Sequence, residues 1–295
     1  MYNRTKSIFR SFLMITKEAI LLDQKILSHN KSLLPFIYTD LLAEYAGDNK
    51  IICFHFWSMT NQVILGMKDT RVTFLAEGVQ SIRENAYQVV VRNSGGLAVV
   101  ADQGILNFSI VLPQPDSKYN FSIDQGYELM KHIIEEALAD FDISIDAFEV
   151  SDSYCPGDFD LSIHGKKFAG ISQRRIKNGI GIMIYLSVCG NQAKRGEIVR
   201  EFYQKSLGNQ FGTEGFPPVN PNSMSNLSEL LKTDFTVEQI KERINDVLTA
   251  QYHFSDDNEV LLQTFLNSDD FSVKFEKQNE RMKQRNQVID WSEDN

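Results

Sequence analysis

Seven short apolar runs restrict this chain more than any other feature. They are IICFHFW (Ile51–Trp57), VILGM (Val63–Met67), QVVVR (Gln88–Arg92), GILNFSIVL (Gly104–Leu112), FDLSI (Phe159–Ile163), KKFAGISQRR (Lys166–Arg175) and GIGIMIYLSV (Gly179–Val188). Each is short, rich in β-branched or aromatic residues, and bounded by turn-forming residues, so each reads as a strand. Helix patterns separate them. Thr70–Tyr87 is one. Ser122 with Gln125 forms a capping-box pattern ahead of Tyr127, Met130, Ile134, Ala137, Leu138 and Phe141. Asn191 can cap a helix that runs through Leu207 and stops at Gly208, and Thr236 with Gln239 opens another carrying Val237, Ile240, Ile244, Val247 and Leu248. Such a mixture predicts an α+β domain over residues 45–250, a mixed, largely antiparallel sheet flanked by helices. Ile20, Leu21, Ile26 and Leu27 among polar neighbours predict a helical N-terminal extension over 1–44. FPPVNPNSMSNLS (Phe216–Ser228) reads as a loop, and 251–295 as a C-terminal helical extension whose charge-rich end, Lys274–Asn295, is solvated or frayed.

Charge and composition exclude several functions. With 30 basic and 39 acidic residues the net charge is −9, which argues against a nucleic-acid binder. The 20 Phe, 10 Tyr and 2 Trp supply a sizeable core. No apolar stretch reaches membrane-spanning length, and Lys17 with Glu18 interrupts the apolar patch at the start of the chain, so no membrane association is expected. Cys53, Cys155 and Cys189 are too few for a disulfide scaffold. His29, His55, His132, His164 and His253 lack ligand spacing. The expectation is a cytoplasmic protein with no metal and no cofactor.

Two segments carry chemistry. In RNSGGLAVVADQGILN (Arg92–Asn107), a strand runs straight into Ser94-Gly95-Gly96, where glycines allow close approach of backbone N–H groups to a ligand. A plain glycine-rich β-turn accounts for the pair equally simply. In SYCPGDFDLSIHGKKFAGISQRR (Ser153–Arg175), Cys155 sits at a bend before Pro156-Gly157, where a nearby cation would favour its thiolate. Cys53 and Cys189 fall in apolar runs and read as small hydrophobes. Spacing alone does not join Cys155 to Lys167. A hairpin turn at His164-Gly165 sets Lys167 opposite Ser162, seven residues from Cys155, or roughly 20 Å of extended strand. Only a fold-back at Pro156-Gly157 closes that gap. Asp158 and Asp160 read as solvated carboxylates or as acids, and Arg174-Arg175 as a solvated strand end or a partner contact. Lys166, Lys167, Arg174, Arg175 and Lys177 together could form a local basic face.

The two segments together resemble the lipoate/octanoate ligase and transferase family, which shares its catalytic fold with biotin-protein ligases. The family pattern is approximately R-R-x-S-G-G-G-A-V-Y-H-D-x-G-x-L-N-x-S, then G-x-K-[IF]-x-G-x-[AS]-Q-R. The first motif is matched by Arg92, Ser94, Gly95, Gly96, Ala98, Val99, Asp102, Gly104, Leu106, Asn107 and Ser109. The second is matched by Gly165, Lys167, Phe168, Gly170, Ser172, Gln173 and Arg174. Val91, Leu97 and Ala101 stand where the pattern has arginine, glycine and histidine, which turns the resemblance away from an adenylating ligase. Cys155-Pro-Gly-Asp-Phe-Asp-Leu-Ser-Ile, HFW (His55–Trp57) and VILGMKD (Val63–Asp69) are similar to the amidotransferase branch. The resemblance implies a biotin/lipoyl protein ligase-like domain in which Cys155 carries an acyl group and Lys167 favours its thiolate. It implies substrate contacts at Arg92, Ser94, Gly95, Gly96, Ala98, Asn107 and Gly170. The implied donor is the octanoylated glycine-cleavage H protein, and the acceptors are lysines on lipoyl domains of 2-oxoacid dehydrogenase complexes, without ATP. An ATP-dependent lipoate ligase, an octanoyl transferase drawing on acyl carrier protein and a non-catalytic lipoyl-domain binder remain alternatives.

Overall fold

The computed structural model describes residues 16–114 and 121–290. The chain enters through strand β1 (Ala19–Leu27), helix α1 (Leu34–Asn49), β2 (Ile52–Met59) and β3 (Gln62–Leu65). Helix α2 (Leu75–Glu84), β4 (Gln88–Val91), β5 (Val99–Ala101) and β6 (Ile105–Pro113) follow. After helix α3 (Ile123–Ala137) come β7 (Asp146–Ala147), β8 (Asp160–Ile163), β9 (Lys166–Ile176) and β10 (Gly179–Ser187). The remaining helices are α4 (Gln192–Leu207), α5 (Leu227–Leu231), α6 (Val237–Gln251), α7 (Asp256–Leu266) and α8 (Asp269–Asn286).

Seven strands form one sheet in the order β1-β2-β6-β10-β9-β8-β7, parallel only between β1 and β2. A smaller sheet has the order β4-β3-β5. Alternation along β6 sorts its side chains between two layers. Phe108, Ile110 and Leu112 pack with Met130 and Ile134 of α3 and Ile240 and Ile244 of α6. Val111 faces the other way, toward Leu42, Ala43 and Ala46 of α1. Asn107 and Ser109 share that second face, so polar residues enter the sheet on the α1 side. The smaller sheet packs Val63, Leu65, Val90 and Val100 against Val79 and Ile82 of α2 and Val199 and Phe202 of α4.

The capping boxes at Ser122–Gln125 and Thr236–Gln239 form as the sequence predicts, and Asn191 caps α4. The helix expected over Thr70–Tyr87 is shorter, reduced to a 3-10 turn and α2. Residues 19–27 are not helical. They form β1, which runs parallel to β2 with a bulge between Asp23 and Ile26 and with Lys25 at φ 57°. That bulge breaks the alternation of the strand and leaves apolar pairs whose spacing imitates a helix. The described part of the charge-rich C-terminal stretch, residues 274–290, is docked: Met282 and Ile289 are buried in the core beneath the smaller sheet, with Phe271 just ahead of them, while residues 291–295 lie outside the described residues. The apolar patch at residues 1–15 lies outside the described residues. Among the described residues no helix is long and apolar enough to cross a membrane.

Candidate active site

A cavity of about 350 Å³ opens between α1 and the α1-facing side of the main sheet. Small-molecule sites commonly measure about 300–1,000 Å³. Phe36, Trp57, Ile64, Val99, Met183 and Tyr185 supply its apolar wall; Thr39, Asp40, Asn107, Ser109 and Arg174 add polar groups. Arg92, Ser94, Gly95, Gly96, Cys155, Lys167 and Gly170 also line it. Every site residue expected from the sequence therefore lies on this cavity except Ala98, whose buried backbone N–H donates to Tyr203 Oη at 3.1 Å.

The β4–β5 loop is held from three sides. Arg92 folds back over it, with Nε donating to Gly95 O at 3.0 Å and Nη2 to Leu97 O at 2.8 Å. Tyr203 Oη donates to buried Asp69 at 2.8 Å, and the other Asp69 oxygen accepts from Gly66 N at 2.7 Å. Burial pushes the Asp69 carboxyl up to about 6. Gly66 itself must lack a side chain, because a Cβ there would sit 1.9 Å from Gly96 O. At Gly96, φ is +90° and a Cβ would meet Arg92 Nη2 at 2.4 Å. Both constraints place the second glycine of the pair beside the cysteine, while a Cβ at Gly95 meets nothing within 4 Å.

Cys155 lies at the end of a turn in the left-handed region, φ 47°. Its sulfur accepts the Leu97 N–H at 3.2 Å and lies 3.8 Å from Arg92 Nη2. The expected fold-back is present. His164 and Gly165, both at positive φ, make the tight hairpin, and Ser162 pairs with Lys167. Lys167 then reaches back to the cysteine turn, but to its backbone. Nζ lies 2.7 Å from Cys155 O, 3.0 Å from Tyr154 O, 3.1 Å from Ser153 Oγ and 2.9 Å from Asp160 Oδ1. An ammonium has three N–H donors. Four acceptors already compete for them, so no donor remains for the sulfur.

Asp160 is the residue that sequence reasoning missed. Read as a solvated carboxylate, it is 2% exposed and pairs with Lys167, itself 2% exposed. Its second oxygen accepts from Gly157 N and Val150 N, each at 3.2 Å. Burial pushes its carboxyl up while the Lys167 ammonium opposes that shift. The pair thus grips the segment on both sides of Cys155. Gly170 packs beside it, with a notional Cβ 3.6 Å from Asp160 Oδ1.

Other expectations resolve in place. Cys53 is buried in β2, whereas Cys189 lies beyond the end of β10 and is only half-buried. Asp102 does not line this cavity; it pairs with buried Arg195, Oδ2 to Nε at 2.8 Å. The expected basic face is largely spent internally: Lys167 is buried with Asp160, Arg174 faces Asp40 at 3.1 Å, and Lys177 faces Glu44 at 2.7 Å. Asn107 Nδ2, buried in the cavity wall, has no hydrogen-bond partner among the described residues.

The family model for the lipoyl protein ligase A/B catalytic domain matches residues 37–249. The chain belongs to that family. It is 44% identical over 216 residues to an octanoyl-[GcvH]:protein N-octanoyltransferase of Oceanobacillus iheyensis, covering 73% of this chain and 76% of that one. It is 41% identical over 233 residues to a lipoyl-[GcvH]:protein N-lipoyltransferase of Listeria monocytogenes, covering 79% and 81%. A putative lipoate protein ligase from T. acidophilum with bound lipoic acid superposes with a TM-score of 0.59 at 16% identity, over 85% of this chain and 95% of that one. That likeness carries the fold alone.

Proposed function

We propose that this lipoyl ligase-family chain is an acyltransferase of protein lipoylation. It moves an octanoyl or lipoyl group from the glycine-cleavage H protein to lysines of lipoyl domains through a thioester on Cys155. The observation that carries this reading is the placement of Cys155 in the lining of the apolar cavity, its sulfur already facing a backbone N–H of the glycine loop. The names borne by its relatives support the same donor.

The first half-reaction is an exchange at an amide. The Cys155 sulfur attacks the carbonyl carbon of the acyl-lysine, and an S–C bond forms as the carbonyl π pair moves onto oxygen. On collapse the C–N bond breaks, and the proton given up by the thiol ends on the departing lysine amine. In the second half the acceptor lysine amine attacks the thioester carbon and the thiol is restored. One amide replaces another, so the net exchange needs no nucleoside triphosphate. The acyl chain lies in the cavity, with Asn107 Nδ2 as a buried donor awaiting a substrate oxygen. The exposed glycine pair lets the donor and acceptor proteins bring their lysines to the sulfur.

The test is the intact mass of an apo lipoyl domain incubated with octanoylated H protein and enzyme, without ATP, beside a Cys155→Ala control. Octanoyl transfer by the wild type alone is the expected result. Transfer by Cys155→Ala, or modification only when ATP and free acid are supplied, overturns the reading.

A further inference from the structure

Two cations flank the candidate nucleophile, and Arg92 is the one whose nitrogen reaches the sulfur. We propose that Arg92, together with the Leu97 N–H, forms an anion-holding pair for Cys155. The inference rests on Cys155 being the nucleophile, and it assigns the charge that steadies it.

Three observations converge. First, among the described residues Arg92 Nη2 and Leu97 N are the donors on the sulfur, at 3.8 and 3.2 Å. Second, the two cations differ in how their charge is spent. Lys167 faces a carboxylate at 2.9 Å and three neutral oxygens, so the buried pair is neutral as a unit. Arg92 hydrogen-bonds the neutral carbonyls of Gly95 and Leu97, which orient the guanidinium without cancelling it. The carboxyl on its side, Asp69, is engaged by Tyr203 and Gly66 and held toward its protonated form by burial. Third, Gly96 has no room for a side chain between Arg92 Nη2 and Cys155 Sγ, at 2.4 and 3.2 Å from a notional Cβ. The glycine therefore keeps open the line between guanidinium and sulfur.

The donors also suit the next step. When the thiolate attacks, charge passes from sulfur to the carbonyl oxygen beside it, and preorganised donors can follow it over that short distance. Lys167, behind the turn, keeps Cys155 at φ 47° so that its sulfur points under the loop.

The charge facing the sulfur can be read without acyl substrate. Alkylation of Cys155 by iodoacetate (an anion) and by iodoacetamide (neutral), located by peptide mass spectrometry, gives a rate ratio that reports local charge on one and the same thiolate. An unneutralised unit charge about 4 Å away in a watery site raises that ratio about fivefold over free cysteine. The wild type is expected to show this rise. Arg92→Gln, which keeps a donor for the loop carbonyls but no charge, should return to the free-cysteine ratio, and Arg92→Lys should retain most of the rise. Cys53, fully buried, labels only in unfolded protein and so checks each variant. A wild-type ratio equal to that of free cysteine overturns the inference even if every variant misfolds. So does an unchanged ratio in folded Arg92→Gln. Lipoyl-domain transfer by Cys155→Ala would instead remove the nucleophile reading while leaving the charge measurement intact.

Discussion

Replacing Lys167 by methionine keeps most of its volume but strands Asp160. The two side chains are each 2% exposed and lie 2.9 Å apart. Removing one partner of a buried ion pair typically costs about 3–5 kcal/mol, because the remaining charge is left unpaired in a poor solvent. Here part of that cost is relieved, since Asp160, already pushed up by burial, can take a proton. Tyr154 O keeps the Ser153 hydroxyl as a donor at 3.3 Å, so Cys155 O is the main acceptor left without one, at about 1–3 kcal/mol if it stays dry. We therefore expect Lys167→Met to lose about 3–5 kcal/mol, and Asp160→Asn to lose a comparable amount by leaving the ammonium uncompensated. The double variant buries neither charge. It should fall short of the sum of the single losses by about 2 kcal/mol, within the range seen for contacting pairs. Urea unfolding followed by both tryptophan fluorescence and far-ultraviolet circular dichroism measures all four proteins, and coincident transitions license the comparison. Losses that add to within about 0.5 kcal/mol, or a Lys167→Met protein as stable as the wild type, would refute the idea that the pair clamps the cysteine turn. The double variant should also remain poor in acyl transfer, because its stability can return while the turn still lacks the donor that held Cys155 O.

Three further predictions test the surroundings. Gly66→Ala drives a methyl into Gly96 O and shifts the catalytic loop; a misplacement on the order of 1 Å can cost about 100-fold, so steady-state transfer should fall by that order while circular dichroism stays native. Asp40, raised by burial from 3.8 to about 6, lets the native state bind more protons than the unfolded chain between those values, so its contribution to stability falls as pH rises through them. Asp40→Asn lacks that titration, and its stability relative to the wild type should improve by about 2 kcal/mol from pH 4 to pH 7 in urea titrations; a pH-independent difference would contradict the assignment. Asn286→Ala removes two side-chain bonds to Val91, at 2.7 and 3.1 Å, and should lower stability by about 1–3 kcal/mol and speed hydrogen exchange in β4, whereas wild-type exchange there would show the clasp to be idle.

The limits of sequence reading follow physical lines. Strands such as Ile105–Pro113 and Gly179–Ser187 were legible because their apolar runs are set by local burial, and the capping boxes because their partners lie three residues apart. The hairpin at His164-Gly165 was legible for the same reason. Asp160 was not, since its neighbours in sequence describe a solvated alternating strand and its actual partner arrives only when β9 folds back on β8. β1 was hidden by its own bulge. Asn286 was hidden more deeply: its amide completes the edge of β4 from a helix at the far end of the chain, which no local pattern announces.

That clasp bears on how the site is built. Val91, which Asn286 holds by both backbone groups, immediately precedes Arg92, whose own N–H donates to Leu65 O at 3.0 Å. Arg92 then braces the loop it begins and ends against the sulfur of Cys155. On the opposite side, Lys167 and Asp160 fix the backbone that presents that sulfur. Neither half of the site tolerates drift, because an attacking atom must meet a carbonyl carbon within a few tenths of an ångström of its reactive geometry. The folded core supplies this rigidity from two independent directions: the smaller sheet with α8 behind Arg92, and the β8–β9 hairpin behind Cys155. The seam between them is the narrow line kept open by Gly96, between Arg92 Nη2 and Cys155 Sγ, and the proposed reaction would bring the acyl carbonyl there.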